Sequence, residues 1–204
     1  MPMRNLLTAL LLLLAGLING NALAVESPQQ VVEDVTNRMT QALQQNHQAL
    51  RADPSKIYGL VNQIALPRFD FELISQWVLG KYWREATPEQ RRQFSDEFRT
   101  LLVRSYAGAL LEYSGEKITF PPGKATVNAD DATVHASVQP KSGSPIDISY
   151  SLRLRNGAWK VYDVAVNGVS LVINYRSTFA NQIRNSGMDA VIRDLKERNA
   201  KGTT

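Results

Sequence analysis

Residues 156–176 read NGAWKVYDVAVNGVSLVINYR and combine two turn signals with a strand and the start of a helix. Asn156-Gly157 predicts a two-residue hairpin turn, because both residue types tolerate the positive φ angles of a type I′ turn. The β-branched and aromatic run from Trp159 to Val166 has the composition of a strand. After the second Asn-Gly pair, from Val169 onward, large apolar residues recur at helical spacing. A strand that leads directly into an apolar helix can form two walls of one cavity.

Apolar and polar residues alternate before the first turn, from Ile146 to Arg155. This alternation predicts a half-buried antiparallel strand, paired with the strand after the turn. The same period of two predicts shorter strands near residues 117–120, 125–128 and 132–139. The sheet is therefore expected to contain four to five strands within residues 117–166.

Helical periodicity dominates the two flanking regions, about residues 28–113 and 169–198. Ser27-Pro28 and Thr87-Pro88 each precede a glutamine at the third helical position, which predicts two capping boxes. The first helix is expected to run to about Leu50 and the helix after Thr87 to about Tyr113. The last is expected to begin near Met188 with Ser186 as its N-cap. Helices followed by an antiparallel meander indicate an α+β fold, with N-terminal helices packed on the sheet.

Residues 1–24 have the features of an export signal. Arg4 supplies the positive charge, Leu6 to Ile18 an apolar run, and Ala22-Leu23-Ala24 a cleavage site. The apolar run of about 13 residues is shorter than the roughly 20 that a membrane span needs, although an uncleaved anchor is the alternative. We therefore expect cleavage after Ala24, a periplasmic location, and a single domain formed by residues 25–204.

Composition excludes several classes of site. The chain contains no cysteine, which excludes disulfides, thiolate zinc sites and a lipid anchor at the cleavage site. The net charge of +4 is too small and too dispersed to indicate a nucleic-acid partner. The two histidines, His47 and His135, lie far apart in polar surroundings, so neither a metal cluster nor a histidine-dependent triad is expected.

Asp163 is the one carboxylate that invites a catalytic interpretation. It lies in an apolar strand, where burial would raise its pKa and a tyrosine such as Tyr106, Tyr150 or Tyr175 could act as a donor. The alternative is that Asp163 faces solvent or pairs with an arginine such as Arg153.

Two blocks of sequence resemble the MlaC family, also called the toluene tolerance proteins. One is the pattern WKVYDV…GVSLV…NYR within residues 159–176, and the other is VLGKYWR at residues 78–84, followed by ATPEQ at residues 86–90. The resemblance extends from about Pro28 to Leu195. It implies a nuclear transport factor 2-like fold with helical additions, in which a curved sheet and a long helix enclose a conical cavity.

The resemblance also implies a function. Proteins of this family carry phospholipid through the periplasm and maintain the lipid asymmetry of the outer membrane, without covalent chemistry. The implied cargo is a diacyl phospholipid, with no cofactor and no metal. The implied partners of this monomeric carrier are the inner-membrane Mla transporter complex and the outer-membrane Mla lipoprotein–porin complex.

The apolar residues of the long helix and of the strand are the candidates for the lining of a cavity. Sequence alone does not separate a lined cavity from an ordinary filled core, but the resemblance implies acyl chains held between helices and sheet. Two such chains need about 1,000 Å³, the upper end of ordinary ligand pockets. A cavity enzyme that uses Asp163 and an adaptor with a filled core are the alternatives. The expected lining residues are Val78, Leu79, Tyr82, Trp83, Phe94, Phe98, Leu101, Leu102, Tyr106, Leu110, Val161, Val164, Val166, Val169, Ile173 and Tyr175.

Overall fold

The structure is a computed structural model that describes residues 25–121 and 125–201. Helices up to residue 111 and from residue 171 flank a sheet built from residues 117–170, so the predicted α+β class is confirmed. The export signal expected in residues 1–24 lies outside the described residues, and its cleavage stays a prediction.

The described residues contain eight α-helices. Two short 3₁₀ helices, Pro54–Lys56 and Leu66–Arg68, precede and follow the third of them. The α-helices are α1 (Pro28–Gln45), α2 (His47–Ala52), α3 (Ile57–Ile64), α4 (Phe71–Leu79), α5 (Lys81–Glu85), α6 (Pro88–Leu111), α7 (Leu171–Ser186) and α8 (Met188–Lys201).

Both predicted capping boxes are present. Ser27 Oγ accepts from the Gln30 backbone N–H at 3.2 Å, and the Gln30 side chain accepts from the Ser27 N–H at 2.9 Å. Thr87 and Gln90 repeat the two bonds at the start of α6, at 3.2 and 2.9 Å. Each box satisfies two of the N–H groups that a helix start leaves without an intrahelical partner.

Two predicted helix boundaries and one predicted N-cap are wrong, whereas the predicted start of the last helix at Met188 is confirmed. The first helix breaks at Asn46, whose side-chain amide donates to the Ala42 carbonyl at 2.8 Å and so competes with the helical ladder. Val169, expected on a helix, lies on a short strand, and Ser170 is the N-cap of α7. Ser186, expected as a cap, ends α7 instead, because Gly187 adopts a positive φ of 81° between α7 and α8.

The sheet has six antiparallel strands in the described residues. Its order is β1-β3-β4-β5-β6, and β2 pairs with β3. The sixth strand, β6, is the short segment that sequence periodicity assigned to a helix. Asn156 and Gly157 have φ angles of 52° and 75°, which confirms the predicted hairpin turn. The strands are β1 (Lys117–Thr119), β2 (Thr126–Asn128), β3 (Asp131–Gln139), β4 (Ile146–Arg155), β5 (Ala158–Val166) and β6 (Val169–Ser170).

A β-bulge at Tyr162 interrupts the pairing of β4 with β5. Leu152 pairs with Val161, but Ser151 pairs with Asp163, so Tyr162 is the extra residue. The regular register set by the turn would place Asp163, not Val164, opposite Tyr150. The bulge therefore brings Val161 and Val164 to the same face of the sheet, although strict alternation separates residues three apart.

The interior consists of three apolar clusters. The first joins α4, α6, α7 and α8, where Phe94 and Phe98 contact the ring of Phe179 edge to face at 5.1 and 5.5 Å. The second packs α1 on the sheet through residues such as Val31 and Leu152. The third packs α1, α2 and α3 against the end of α6.

Asp70 joins the helical part to the sheet. Its backbone N–H donates to the Val161 carbonyl at 3.0 Å, and its carboxylate accepts from the Leu73 N–H at 2.9 Å as the N-cap of α4. The same carboxylate accepts from Arg155 Nη1 at 2.7 Å, and its side chain is only 13 % exposed. Asp70 thus positions α4 against β5 through its backbone N–H and against β4 through its carboxylate.

Gly80, between α4 and α5, has a backbone that other residues adopt only with strain. Its φ and ψ are 56° and −119°, and a Cβ atom would lie 3.0 Å from Arg176 Nη2. We predict that Gly80→Ala lowers the free energy of unfolding by about 1–3 kcal/mol, as measured by urea denaturation. Gly59→Ala in α3 is the control, because no atom lies within 4 Å of its Cβ position. Equal stability of the two variants would contradict this account of Gly80.

Candidate functional site

A cavity of about 370 Å³ lies where the three apolar clusters approach one another. Its helical walls are α3, the short 3₁₀ segment after α3, α4, the C-terminal part of α6 and the start of α7. Its sheet wall is the end of the β4–β5 hairpin that lies away from the turn. Asp163 is the one carboxylate among its described lining residues, and Tyr106 and Tyr162 are the only others whose side chains carry polar atoms. The lining residues are Val61, Ala65, Leu66, Phe69, Phe71, Ile74, Leu102, Val103, Tyr106, Ala107, Ala109, Leu110, Ile148, Tyr162, Asp163, Val164, Val166, Leu171 and Val172.

Helix α6 changes character along its length. Its first half inserts the fully buried rings of Phe94 and Phe98 into the helical cluster, which leaves no space there. Its second half presents smaller side chains to the cavity, among them Ala107 and Ala109. The cavity is the space between this half of α6 and the facing sheet.

The sheet wall depends on the bulge at Tyr162. Beyond it, Val164 pairs with Tyr150 and Val166 pairs with Ile148, and both valines line the cavity. Val166 is 37 % exposed, and Tyr106 on the opposite wall is 41 % exposed. Because both residues reach the cavity and the solvent, we place its mouth between the end of β5 and α6.

Asp163 borders the cavity, but its carboxylate is engaged at the start of α7. One oxygen accepts from Ser170 Oγ at 2.5 Å, and the other accepts from the Val172 N–H at 3.1 Å. Ser170 Oγ in turn accepts from the Ile173 N–H at 3.1 Å. The carboxylate therefore lies against the positive end of the α7 dipole and satisfies donors that the helix leaves free. The expected alternative partner, Arg153, pairs with Asp131 at 2.7 Å instead.

The three tyrosines considered as donors are not hydrogen-bonded to Asp163 in the described part of the chain. Burial, together with the nearby Tyr175 hydroxyl, raises the pKa of Tyr106 to about 12. Burial alone raises the pKa of Tyr150 to about 12. Both hydroxyls are therefore uncharged at neutral pH, so they add dipoles but no charge near the cavity.

The structure distributes the sixteen predicted lining residues among four environments. Leu102, Tyr106, Leu110, Val164 and Val166 line the cavity. Val78, Leu79, Phe94 and Phe98 are buried in the helical cluster, and Tyr82, Trp83, Leu101 and Tyr175 pack against it. Val161 belongs to the cluster between α1 and the sheet.

Val169 and Ile173, the remaining two, are 62 % and 67 % exposed. Val169 lies on the short β6, and Ile173 follows Val172, which is the residue that faces inward. Apolar periodicity alone does not separate a residue that lines a cavity from one that fills a core or covers its rim.

Several lining residues were missed. Phe69, Phe71 and Ile74 belong to a run too apolar for a surface helix, a signal that indicates burial but no particular neighbour. Ile148 faces Val166 through the strand pairing, and Val61, Ala65 and Leu66 come from around the end of α3. Small residues such as Ala65 and Ala107 carry no sequence signal for a cavity, because helices use alanine everywhere.

The two histidines of the described residues do not border the cavity. His47 is exposed, and His135 Nδ1 lies 2.9 Å from Ser149 Oγ on the sheet. No group of three or more carboxylates and histidines within residues 25–121 and 125–201 could hold a metal ion. None of the helices in these two ranges is both long and apolar enough to cross a membrane.

Known proteins resemble this chain in sequence and in architecture. The family model described as MlaC protein matches residues 33–197. The toluene tolerance protein ttg2D of Pseudomonas putida is 34 % identical over 167 residues, which cover 81 % of this chain and 77 % of the relative. The intermembrane phospholipid transport system binding protein MlaC of Haemophilus influenzae is 27 % identical over 188 residues, covering 91 % and 88 %.

One solved structure extends the likeness to three dimensions. A phospholipid-binding protein from Ralstonia solanacearum, solved in complex with a phospholipid, superposes with a TM-score of 0.79 at 30 % identity. The match covers 87 % of this chain and 99 % of that one. On the evidence of the family model and these relatives, the chain belongs to the MlaC protein family.

Proposed function

We propose that this protein binds phospholipid in the cavity between α6 and the sheet and carries it through the periplasm without covalent chemistry. The observation that carries the proposal is an apolar cavity in which Asp163, the one carboxylate among the described lining residues, is hydrogen-bonded at a helix start. The relatives support it, because one is named a phospholipid transport binding protein and another was solved with a phospholipid.

An apolar cavity suits a carrier because of the energetics of acyl chains in water. Burial of each CH₂ is worth about 0.8 kcal/mol, so two chains of roughly 16 carbons cost on the order of 25 kcal/mol when exposed. A cavity that resembles the bilayer interior makes transfer nearly isoenergetic, which allows both loading and release. A lining with few polar groups is then an advantage, because each polar group that an acyl chain covers loses its hydrogen bonds to water at a cost in free energy.

The proposed carrier consists of residues 25–204 as one lipid-binding domain. Its proposed cargo is a diacyl phospholipid, and its proposed partners are the inner-membrane Mla transporter complex and the outer-membrane Mla lipoprotein–porin complex. Its proposed lining includes Leu102, Tyr106, Leu110, Val164 and Val166, which border the cavity.

The direct test of the proposal is native mass spectrometry of the protein purified without detergent. We expect a mass increased by one or more phospholipids, which extraction into organic solvent and lipid analysis would identify. A protein that carries no lipid, or carries a small polar molecule instead, would refute the carrier function.

Val166→Trp should reduce phospholipid binding while the lipid-free protein remains folded. Val166 is partly exposed at the mouth, so the indole has room to enter the cavity without overpacking a filled core. Displacing about two methylenes of an acyl chain costs about 1.6 kcal/mol, roughly a tenfold loss of affinity. The measurements are the thermal midpoint after delipidation and the phospholipid bound per protein.

Val127→Trp is the matched control for Val166→Trp. Val127 is 54 % exposed on β2 and does not border the cavity. Its replacement adds the same indole ring to the protein without occupying the cavity. Delipidation matters for both variants, because bound lipid stabilises the folded state by mass action. If both variants retain full lipid, Val166 does not border the bound chains.

Asp163→Asn should preserve lipid binding and weaken the fold modestly. The amide keeps one acceptor for the start of α7 but replaces the oxygen that accepts from Ser170, so we expect a loss of about 1 kcal/mol. Thermal unfolding and bound phospholipid are measured together. A variant that stays folded and lipid-loaded but loses its cellular function would instead favour an enzyme that uses Asp163.

A further inference from the structure

The cavity is small for the proposed cargo. Its volume of about 370 Å³ is well below the roughly 1,000 Å³ that two acyl chains occupy. If the protein carries a diacyl phospholipid, as proposed above, then part of the wall has to move when the lipid enters. The question is which part of the wall moves at the least cost.

The first half of α6 is held in place by hydrogen bonds to other elements. Gln90 Nε2 donates to Asp189 of α8 at 2.7 Å, and Arg91 Nε donates to the Trp83 carbonyl at 2.7 Å. Asn199 of α8, which is buried, donates to the backbone carbonyl and side-chain carboxylate of Glu97 at 2.9 and 2.7 Å. This half of the helix also contains the packed rings of the core.

The last part of α6 has no comparable attachment among the described residues. From Ala107 to Tyr113, the one side-chain hydrogen bond runs from the Tyr113 hydroxyl to the Glu116 carbonyl at 3.2 Å, within the following loop. Ala109 and Leu110 of this segment line the cavity. Only apolar packing and the helical ladder therefore hold this part of the wall.

A glycine, Gly108, lies at the start of the unattached segment. Gly108 has no positive φ, and among the described residues nothing but the adjacent backbone of α6 lies within 4 Å of the position of its missing Cβ, so neither backbone nor packing requires glycine there. Glycine inside a helix is less favourable than alanine by about 1 kcal/mol, because it loses more conformational freedom on folding. Its presence here weakens the helix at one point.

Space exists on the far side for the segment to move into. A surface recess of about 420 Å³ lies between α2 and the end of α6, and its lining includes Leu43, Leu50 and Leu111. Leu110 borders both this recess and the cavity. An outward displacement of Leu110 would therefore enlarge the cavity and move this side chain into the recess.

We propose that the segment of α6 after Gly108 is a movable wall, which bends outward at this glycine and enlarges the cavity to admit long acyl chains. This inference rests on the proposed carrier function and adds to it a residue that controls entry. The weak point in the helix lowers the cost of opening, and the hydrogen bonds to α8 keep the rest of α6 in position while it opens.

Gly108→Ala tests the movable wall, and Gly59→Ala in α3 is its matched control. Both glycines are exposed, lie within helices and have open space at the Cβ position. Both variants should therefore raise the thermal midpoint of the delipidated protein. Vesicles of phosphatidylethanolamine and phosphatidylglycerol that contain pyrene-labelled phosphatidylglycerol supply the long-chain lipid.

We expect Gly108→Ala to slow uptake of the labelled lipid by about fivefold, the factor that corresponds to the glycine–alanine difference in helix preference. Gly59→Ala should take up the lipid at the wild-type rate. Binding of dihexanoyl phosphatidylglycerol, whose short chains need no enlargement, should be the same in all three proteins. This contrast separates a movable wall from a general effect of helix stability.

Equal uptake rates for the two variants would overturn the movable wall and leave the carrier function intact. Equal losses of long-chain and short-chain binding in Gly108→Ala would also overturn it, since the methyl group would then act on the cavity itself. A wild-type protein that takes up no labelled lipid would overturn the carrier function and this inference with it.

Discussion

The β-bulge at Tyr162 is the constraint on which the site depends. It shifts the register of β5 by one residue, so Trp159 and Val161 before the bulge and Val164 and Val166 after it face the helices together. Without the shift, the end of β5 would turn its valines away from α6. The first part of the strand closes a core with α1, and the last part leaves an apolar wall with no helix packed on it.

The bulge also determines the chemistry of the cavity. It places Asp163 beside the start of α7, where Ser170 and the Val172 N–H occupy both of its oxygens. A carboxylate at an apolar cavity would otherwise be costly or reactive, because desolvation opposes its charge. Here its hydrogen bonds stabilise a helix start instead. The site thereby combines a nearly apolar lining with an aspartate whose hydrogen bonds contribute to the fold.

The two halves of α6 differ in how they are held by the rest of the protein. Its N-terminal half contributes Phe94 and Phe98 to a filled core and is hydrogen-bonded to α8. Its C-terminal part lines the cavity with Ala107, Ala109 and Leu110, and Leu110 also borders the recess on the other side. In the described part of the chain, a single helix therefore has one half held by hydrogen bonds to neighbouring elements and one half held by apolar packing alone.

The sequence by itself determined the features that depend on local chemistry. The Asn156-Gly157 turn, the two capping boxes, the strand alternation before residue 156 and the α+β order all follow from the backbone preferences of short segments. Only the tertiary structure decided which apolar residues fill a core and which line a cavity. Phe98 and Leu102 are one helical turn apart and equally apolar, yet only Phe98 faces the ring of Phe179. That difference depends on partners distant in sequence and on a one-residue bulge that periodicity does not reveal.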